Sequence, residues 1–181
     1  MSGLTFVMLA VVAMQSLGAQ PPKPQPKPST GKVVNVEIIV APTKGVHEKA
    51  CQAGGPSPTT VLVTGKQVFH CVKGVLLEHD VDEKKNSDAF KLTLVHVSAG
   101  DSIRWFSKAN TFRVAQVRLH TPIEKGAPPY PFLQPMPETF TNEVTSAPVR
   151  NEPGEIVQQY KVSFDIDKPG NRVDPDVVCS M

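Results

Sequence analysis

Four residues of this sequence carry side chains that could bind copper. His70 and Cys71 are adjacent, and Cys179 and Met181 lie close together further along the chain. Thiolate and thioether groups suit Cu(I), so these four residues form one hypothetical ligand set. Neighbouring residues on a strand point to opposite faces, however, which argues against His70 and Cys71 sharing one ion. The sequence therefore predicts no metal cofactor and keeps copper as the alternative.

The three cysteines also allow a disulfide, which is common in exported proteins. A bond between Cys51 and Cys71 would stabilise the fold by about 3 kcal/mol through loop entropy. A bond between Cys71 and Cys179 would instead attach the last strand to the sheet, and the sequence leaves the pairing open. His47 and Cys51 have the spacing of one helical face, but two ligands do not make a metal site. We expect a structural bridge and a buried thiol.

The sequence contains no motif that predicts catalysis. A nucleophile elbow, a phosphate-binding glycine loop and a zinc-protease motif are all missing from it. The charged stretch 78–88 is predicted to be the solvated tip of a hairpin. We therefore predict that the protein is not an enzyme and has no catalytic residues.

A proline-rich stretch is the best candidate for binding a partner. Residues 121–153 hold eight prolines, and the segment 127–132 is stiff and aromatic. Rigid aromatic side chains give contact area at a low entropy cost, so Tyr130 and Phe132 are candidate anchors for a protein or surface ligand. The alternative is that both side chains pack over the end of the fold and close it.

Apolar and alternating patterns elsewhere predict strands. They occur at 33–40, 61–63, 67–72, 90–94, 102–106, 111–119, 156–166 and 173–179. In the pattern at 156–166, Gln159, Lys161, Ser163 and Asp165 share one parity and are predicted to form the polar outer face. Seven or eight strands without a clear helix predict an all-β fold, a Greek-key sandwich or barrel.

The amino-terminal residues predict export. Residues 1–19 carry no charged side chain, contain an apolar run and end in small residues at Ala19, as a signal peptide does. Residues 20–31 contain five prolines and are predicted to be an extended linker. The domain then occupies 32–181, and no later run is apolar enough to span a membrane. We expect a periplasmic or secreted protein.

The overall charge argues against one class of partner. The 181 residues include 19 Lys and Arg against 17 Asp and Glu, a net charge of +2. Nucleic-acid-binding domains usually have a strong basic excess, so we expect no nucleic-acid partner.

Two stretches carry a family resemblance: the Gly-Asp turn and tryptophan strand at 97–105, and the closing pair of strands at 159–166 and 174–178. Both resemble cupredoxins, and the second resembles the closing strands of plastocyanin-like domains in secreted bacterial proteins. The resemblance implies a cupredoxin-like sandwich. It also places the family's copper ligands at 106–114 and 165–171, where this sequence has no His, Cys or Met, and Phe112 could fill the space. The expected function is an exported, non-enzymatic binding or structural module; the alternative is an atypical copper or electron-transfer protein using Cys, His and Met.

Overall fold

The computed structural model describes residues 31–85 and 87–181. The predicted signal peptide and all but the last residue of the predicted linker lie outside this part of the chain. The described residues form eleven strands and three short helices. The strands are β1 (Val33–Val40), β2 (Val61–Thr64), β3 (Gln67–Val72), β4 (Val75–Glu78), β5 (Val95–Ser98), β6 (Ser102–Phe106), β7 (Phe112–Leu119), β8 (Glu143–Thr145), β9 (Val157–Ile166), β10 (Arg172–Val173) and β11 (Asp176–Ser180). The helices are α1 (Lys44–Gln52), α2 (His79–Lys84) and α3 (Asp88–Lys91).

The strands form two mixed sheets, so the mostly β architecture predicted from the sequence is confirmed. The first sheet has the order β4-β3-β2-β1-β6-β8, in which β1 runs parallel to both of its neighbours. The second has the order β10-β9-β11-β5, and β7 also pairs with β9. Strands β5 and β11 are parallel, whereas β9 is antiparallel to β7, β10 and β11. This arrangement is sandwich-like.

Aromatic side chains from both sheets meet in one core. Trp105 of β6 contacts Phe164 of β9 with ring centroids 4.8 Å apart, and Phe112 of β7 packs edge-on against the same ring. All three side chains are completely buried. Burying an aromatic side chain contributes about 2–3 kcal/mol, so this contact between sheets is a main source of stability.

The number of strands predicted from the sequence was too low, because the predicted last strand is divided into β10 and β11 and the segments β4, β5 and β8 were not predicted. The alternation at 90–94, in turn, is not a strand. Its first two residues belong to α3, where the hydroxyl oxygen of Ser87 accepts a hydrogen bond from the backbone N–H of Phe90. Phe90 is buried and Leu92 is 53% exposed, so alternating polarity here does not reflect the two faces of a strand.

The charged stretch 78–88 is not a solvated hairpin tip. It contains the whole of α2 and begins α3, and the first residue of α2, His79, is only 2% exposed. The carboxylate of Asp82 accepts a hydrogen bond from the backbone N–H of Glu78 at the start of the helix. This contact engages the backbone of the N-cap residue Glu78, whose own side chain does not cap the helix.

The predicted polar outer face of β9 is also largely covered. Ser163 and Asp165 are buried, and Gln159 and Lys161 are partly buried. Strand β9 has neighbours on both sides, so the polar residues of this face lie among side chains of the adjacent strands. Buried polar groups need hydrogen-bond partners. The polar side chains on this face of β9 therefore contact other polar groups within the protein, and such clusters can form functional sites.

None of the helices in the described residues is long and apolar enough to cross a lipid bilayer.

Candidate functional site

A chain of polar side chains connects the first sheet with the second. His70 on β3 is followed by His79 at the start of α2, and His79 is followed by Asp176 at the start of β11. The Nε2 atom of His70 lies 3.2 Å from Nδ1 of His79, and Nε2 of His79 lies 3.1 Å from Oδ2 of Asp176. All three side chains are at least 97% buried. We call these three residues the buried chain.

The local structure explains why these side chains meet. The pairing of β3 with β4 fixes His70 next to the segment that enters α2, and the helix starts directly after β4. His79 and Glu83 are four residues apart in α2 and therefore lie on one helical face. In the second sheet, Asp176 of β11 lies opposite Lys161 of β9 in the antiparallel register.

Lys161 and His120 extend the buried chain towards the surface. The Nζ atom of Lys161 donates to Oε2 of Glu83 at 3.1 Å and lies 3.9 Å from Oδ2 of Asp176. On the other side of Glu83, Oε1 lies 2.9 Å from Nε2 of His120. A lysine ammonium group is therefore placed between two carboxylates, and each of these also contacts an imidazole, that of His120 or that of His79.

The hydrogen bonds assign the protons of the buried imidazoles. The carbonyl oxygen of Thr60 lies 3.1 Å from Nδ1 of His70 and can only accept, so this nitrogen carries a hydrogen. Burial lowers the pKa of His70 to about 3, with a further contribution from His79. His70 is therefore neutral at pH 7, and its Nε2 accepts a hydrogen bond from Nδ1–H of His79.

Asp176 is ionised in these surroundings. Burial alone would raise its pKa, but the hydrogen bond from His79 and the charges of Lys161 and His120 outweigh burial, and the pKa is lower than usual. Oδ2 also accepts a hydrogen bond from the amide of Gln159 at 2.9 Å. The other oxygen, Oδ1, is buried and has no hydrogen-bond partner. Unpartnered buried carboxylate oxygens are costly, so this atom marks an incompletely satisfied site.

A cavity of about 260 Å³ lies next to this polar cluster. Glu83, His120 and Gln159 contribute polar side chains to its wall, and the rest of the wall is formed by Phe90, Lys91, Leu94, Thr121 and Pro122. Ligand sites commonly combine apolar walls with a few convergent polar groups. A larger depression of about 400 Å³ lies beside Cys51 and Cys71, but its walls consist mainly of Gly and Pro residues. The cavity at His120 is the better candidate site.

The structure decides the disulfide pairing that the sequence left open. Cys51 of α1 and Cys71 of β3 form the bond, and Cys179 is a buried free thiol. Burial raises the pKa of Cys179 to about 12, so its thiolate form is negligible at pH 7.

The four residues of the hypothetical copper set are not arranged as one site. Cys71 is bound in the disulfide, and His70 is held by Thr60 and His79. Met181 contacts another partner, since its Sδ lies 3.9 Å from Oη of Tyr160. His47 and Cys51 do lie together on α1, but Cys51 is bound in the disulfide and Nε2 of His47 lies 3.0 Å from the carbonyl oxygen of Val63.

The residues also do not fit a type 1 copper ion. Such a site needs two imidazoles and a thiolate in one plane. In the region that the cupredoxin resemblance assigns to the ligands, Phe112 is completely buried against Phe164. Asp167, in the connection between β9 and β10, binds the backbone N–H of Thr111 with its carboxylate. These positions are engaged in packing and turn formation.

The two candidate anchors of the proline-rich stretch, Phe132 and Tyr130, differ in burial. Phe132 is completely buried in the main core, which supports the structural alternative and corrects its assignment as a partner-binding residue. Tyr130 is half-buried, packs edge-on against Phe132 and accepts a hydrogen bond from the backbone N–H of Met136. The buried Phe132 side chain and the packing of Tyr130 against it therefore attach this part of the proline-rich stretch to the core.

Compared with known proteins, the chain matches no protein-family model and no curated protein sequence. The candidate site therefore depends on its geometry alone. Its residues were not singled out as ligands in the sequence, apart from His70. One signal was present: the spacing of His79 and Glu83 places both on one face once the charged stretch is recognised as helical.

Proposed function

We propose that this chain is an exported, non-enzymatic binding module with a cupredoxin-like β-sandwich, and that it holds a small ligand in the cavity beside His120. One observation carries this proposal. Glu83, His120 and Gln159 line the cavity and also contact the polar groups of the cluster behind it. A ligand in the cavity would therefore meet side chains that are already held in place, which reduces the entropy lost on binding.

The disulfide supports export to the periplasm or the exterior. The bond between Cys51 and Cys71 joins α1 to β3. Disulfides persist in oxidising compartments and are rare in the cytosol of mesophiles. A covalent link of this kind gives a binding module a rigid frame outside the cell.

Two features support the cupredoxin type of sandwich. The tryptophan strand of the resemblance is β6, which follows the predicted turn and places Trp105 at the centre of the core. The closing strands of the resemblance are β9 and β11, which are antiparallel neighbours in the second sheet.

The surroundings of the nucleophilic and basic groups favour binding over catalysis. Both ring nitrogens of His79 are engaged, by His70 and by Asp176, and the side chain is 2% exposed. A general base must reach the proton that it removes, and this imidazole is fully engaged within the protein. The buried Cys179 thiol is protonated at pH 7 and is a poor nucleophile.

The cavity can be tested with a fragment library and NMR spectroscopy of the ¹⁵N-labelled protein. We expect chemical-shift changes on fragment binding to cluster at Phe90, Leu94, Thr121 and Gln159. The variant Leu94→Trp should abolish these changes, because the larger side chain fills the cavity that Leu94 lines.

Leu92→Trp is the matched control. Leu92 is only two residues away but is 53% exposed and lies outside the cavity wall, so this variant should bind the same fragments as the wild type. Shift changes that cluster elsewhere, or that persist in Leu94→Trp, would contradict the proposal.

A further inference from the structure

Three side chains beside the cavity bring metal-ligating atoms together. One ligating atom from each of His79, Glu83 and Asp176 lies within 4.8 Å of the other two. Two of these residues come from one face of α2, and the third comes from β11, which is 97 residues from His79 in the sequence. An imidazole and two carboxylates at such distances can surround one cation.

The two ring nitrogens of His79 face different partners. Nδ1 lies 3.2 Å from Nε2 of His70, and Nε2 lies 3.1 Å from Oδ2 of Asp176. The second nitrogen and the carboxylate oxygen are therefore close enough for one proton or one metal ion to lie between them.

This orientation of His79 is the one found in metal sites. A metal-ligating histidine usually donates its second ring N–H to a neighbouring acceptor, which fixes the tautomer and the ring orientation. His70 supplies that acceptor, and His70 is itself fixed by the carbonyl oxygen of Thr60. Nε2 of His79, which faces Asp176, is therefore the ring nitrogen that would bind an ion.

One of the two carboxylates has an oxygen atom that makes no hydrogen bond within the protein. Oδ1 of Asp176 is buried without a hydrogen-bond partner, which leaves an oxygen available as a ligand. The ammonium group of Lys161 contacts both Glu83 and Asp176, at 3.1 Å and 3.9 Å. Lys161 thus supplies positive charge where a bound ion would otherwise supply it.

We propose that His79, Glu83 and Asp176 bind a divalent transition-metal ion of the zinc class, with Lys161 neutralising the two carboxylates when the metal is absent. An imidazole with two carboxylates suits Zn²⁺, whereas Mg²⁺ and Ca²⁺ prefer oxygen ligands alone. The ligand set contains no sulfur, which distinguishes it from a Cu(I) site. His120 is assigned as a positioning residue, because its Nε2 lies 2.9 Å from Oε1 of Glu83 on the cavity side.

The inference rests on the proposed function and deepens it, since one of the three ligands, Glu83, also lines the proposed ligand cavity. A divalent ion would compete with the ammonium group of Lys161 for the two carboxylates. Removing that ammonium group should therefore strengthen metal binding, which a merely structural cluster does not predict.

The test is a titration of chelator-treated full-length protein with Zn²⁺, followed by calorimetry and by elemental analysis of the bound metal. We expect one equivalent of zinc to bind. Glu83→Gln and Asp176→Asn should each weaken binding by at least about tenfold. Lys161→Met should strengthen it by about tenfold, because a like charge next to the ion is lost.

Two exposed residues provide matched controls. His96 is an exposed imidazole on β5, and Asp88 is an exposed carboxylate at the start of α3. His96→Ala and Asp88→Asn should bind zinc as the wild type does. Circular dichroism at the titration temperature verifies that each variant is folded.

Three results would overturn the metal site. One is an absence of zinc binding in both the wild type and Lys161→Met, and another is binding that Glu83→Gln and Asp176→Asn leave unchanged. The third is a loss of binding in His96→Ala, which would place the ion elsewhere. Fragment binding in the cavity is measured on the chelated protein, so failure of the zinc titration is distinguishable from failure of the proposed function.

Discussion

Two aspartates of the second sheet have no exposed side-chain surface, yet they are satisfied in different ways. Asp165 lies on β9 between Arg113 of β7 and Arg172 of β10, its partners in the strand register. Arg113 donates to Oδ2 at 2.9 Å and Arg172 donates to Oδ1 at 3.2 Å. In Asp176, by contrast, the contacts converge on Oδ2 and Oδ1 has no partner.

The difference separates a structural carboxylate from a candidate ligand. Each carboxylate oxygen of Asp165 accepts a hydrogen bond from a guanidinium group, that of Arg113 or that of Arg172. Neither oxygen therefore lacks a hydrogen-bond partner. Asp176 keeps a buried oxygen without a hydrogen-bond partner beside His79 and Glu83. Buried polar groups in folded proteins are nearly always satisfied, and an exception among other metal-ligating groups supports a ligand role.

The largest effect is expected when the structural carboxylate is removed. Asp165→Asn should lower the free energy of unfolding by about 3 kcal/mol, because two arginines lose a buried counter-charge. Urea denaturation at pH 7 measures this change. Asp88→Asn is the control, since the side chain of Asp88 is 98% exposed and its removal should cost less than about 0.5 kcal/mol. A similarly small cost for Asp165→Asn would mean that the two arginines do not depend on it.

The pH dependence of stability sharpens the same comparison. Burial favours the neutral form of Asp165, but hydrogen bonds from Arg113 and Arg172 outweigh burial and lower its pKa. The folded state therefore binds the proton more weakly than the unfolded state does. The stability that Asp165 provides is present above the usual aspartate pKa of about 4 and is lost as the pH falls further.

Urea denaturation between about pH 6 and pH 2 tests this sign. We expect the stability of the wild type to fall more steeply below about pH 4 than that of Asp165→Asn, so that the two curves converge. Curves that remain parallel throughout this range would show that Asp165 does not titrate differently in the two states.

Sequence periodicity predicted the strands of the two sheets better than the residues of the candidate site. Apolar, β-branched runs gave β1, β3 and β6 close to their observed bounds, because burial of a strand face is a property of local sequence. The helix α2 was missed because its charged sequence has no apolar stripe. Its buried residue, His79, is held by partners far away in the chain and not by an apolar face.

The two aspartates show why the site itself could not be predicted. Alternation along β9 assigns Asp165 to a polar face, which is right about its polarity and wrong about its exposure. Whether such a face is solvated depends on the side chains of the neighbouring strands, here Arg113 and Arg172. The contact of Asp176 with His79 joins residues 97 positions apart, and no local pattern encodes that distance.

The smallest effect is expected when the candidate ligand is altered in the metal-free protein. With a chelator present, Asp176→Asn should cost only about 1 kcal/mol of unfolding free energy. The amide oxygen still accepts hydrogen bonds from His79 and Gln159, Lys161 keeps its contact with Glu83, and Oδ1 has no hydrogen bond to lose. Zinc should then separate the two proteins, because an ion that binds only the folded state stabilises it by about 2.7 kcal/mol at a concentration 100 times its Kd. Thermal denaturation with chelator and with zinc measures both quantities. The wild type should gain stability from zinc, and Asp176→Asn should gain much less. A loss of about 3 kcal/mol in chelator, with no zinc-dependent difference, would make Asp176 a structural carboxylate like Asp165.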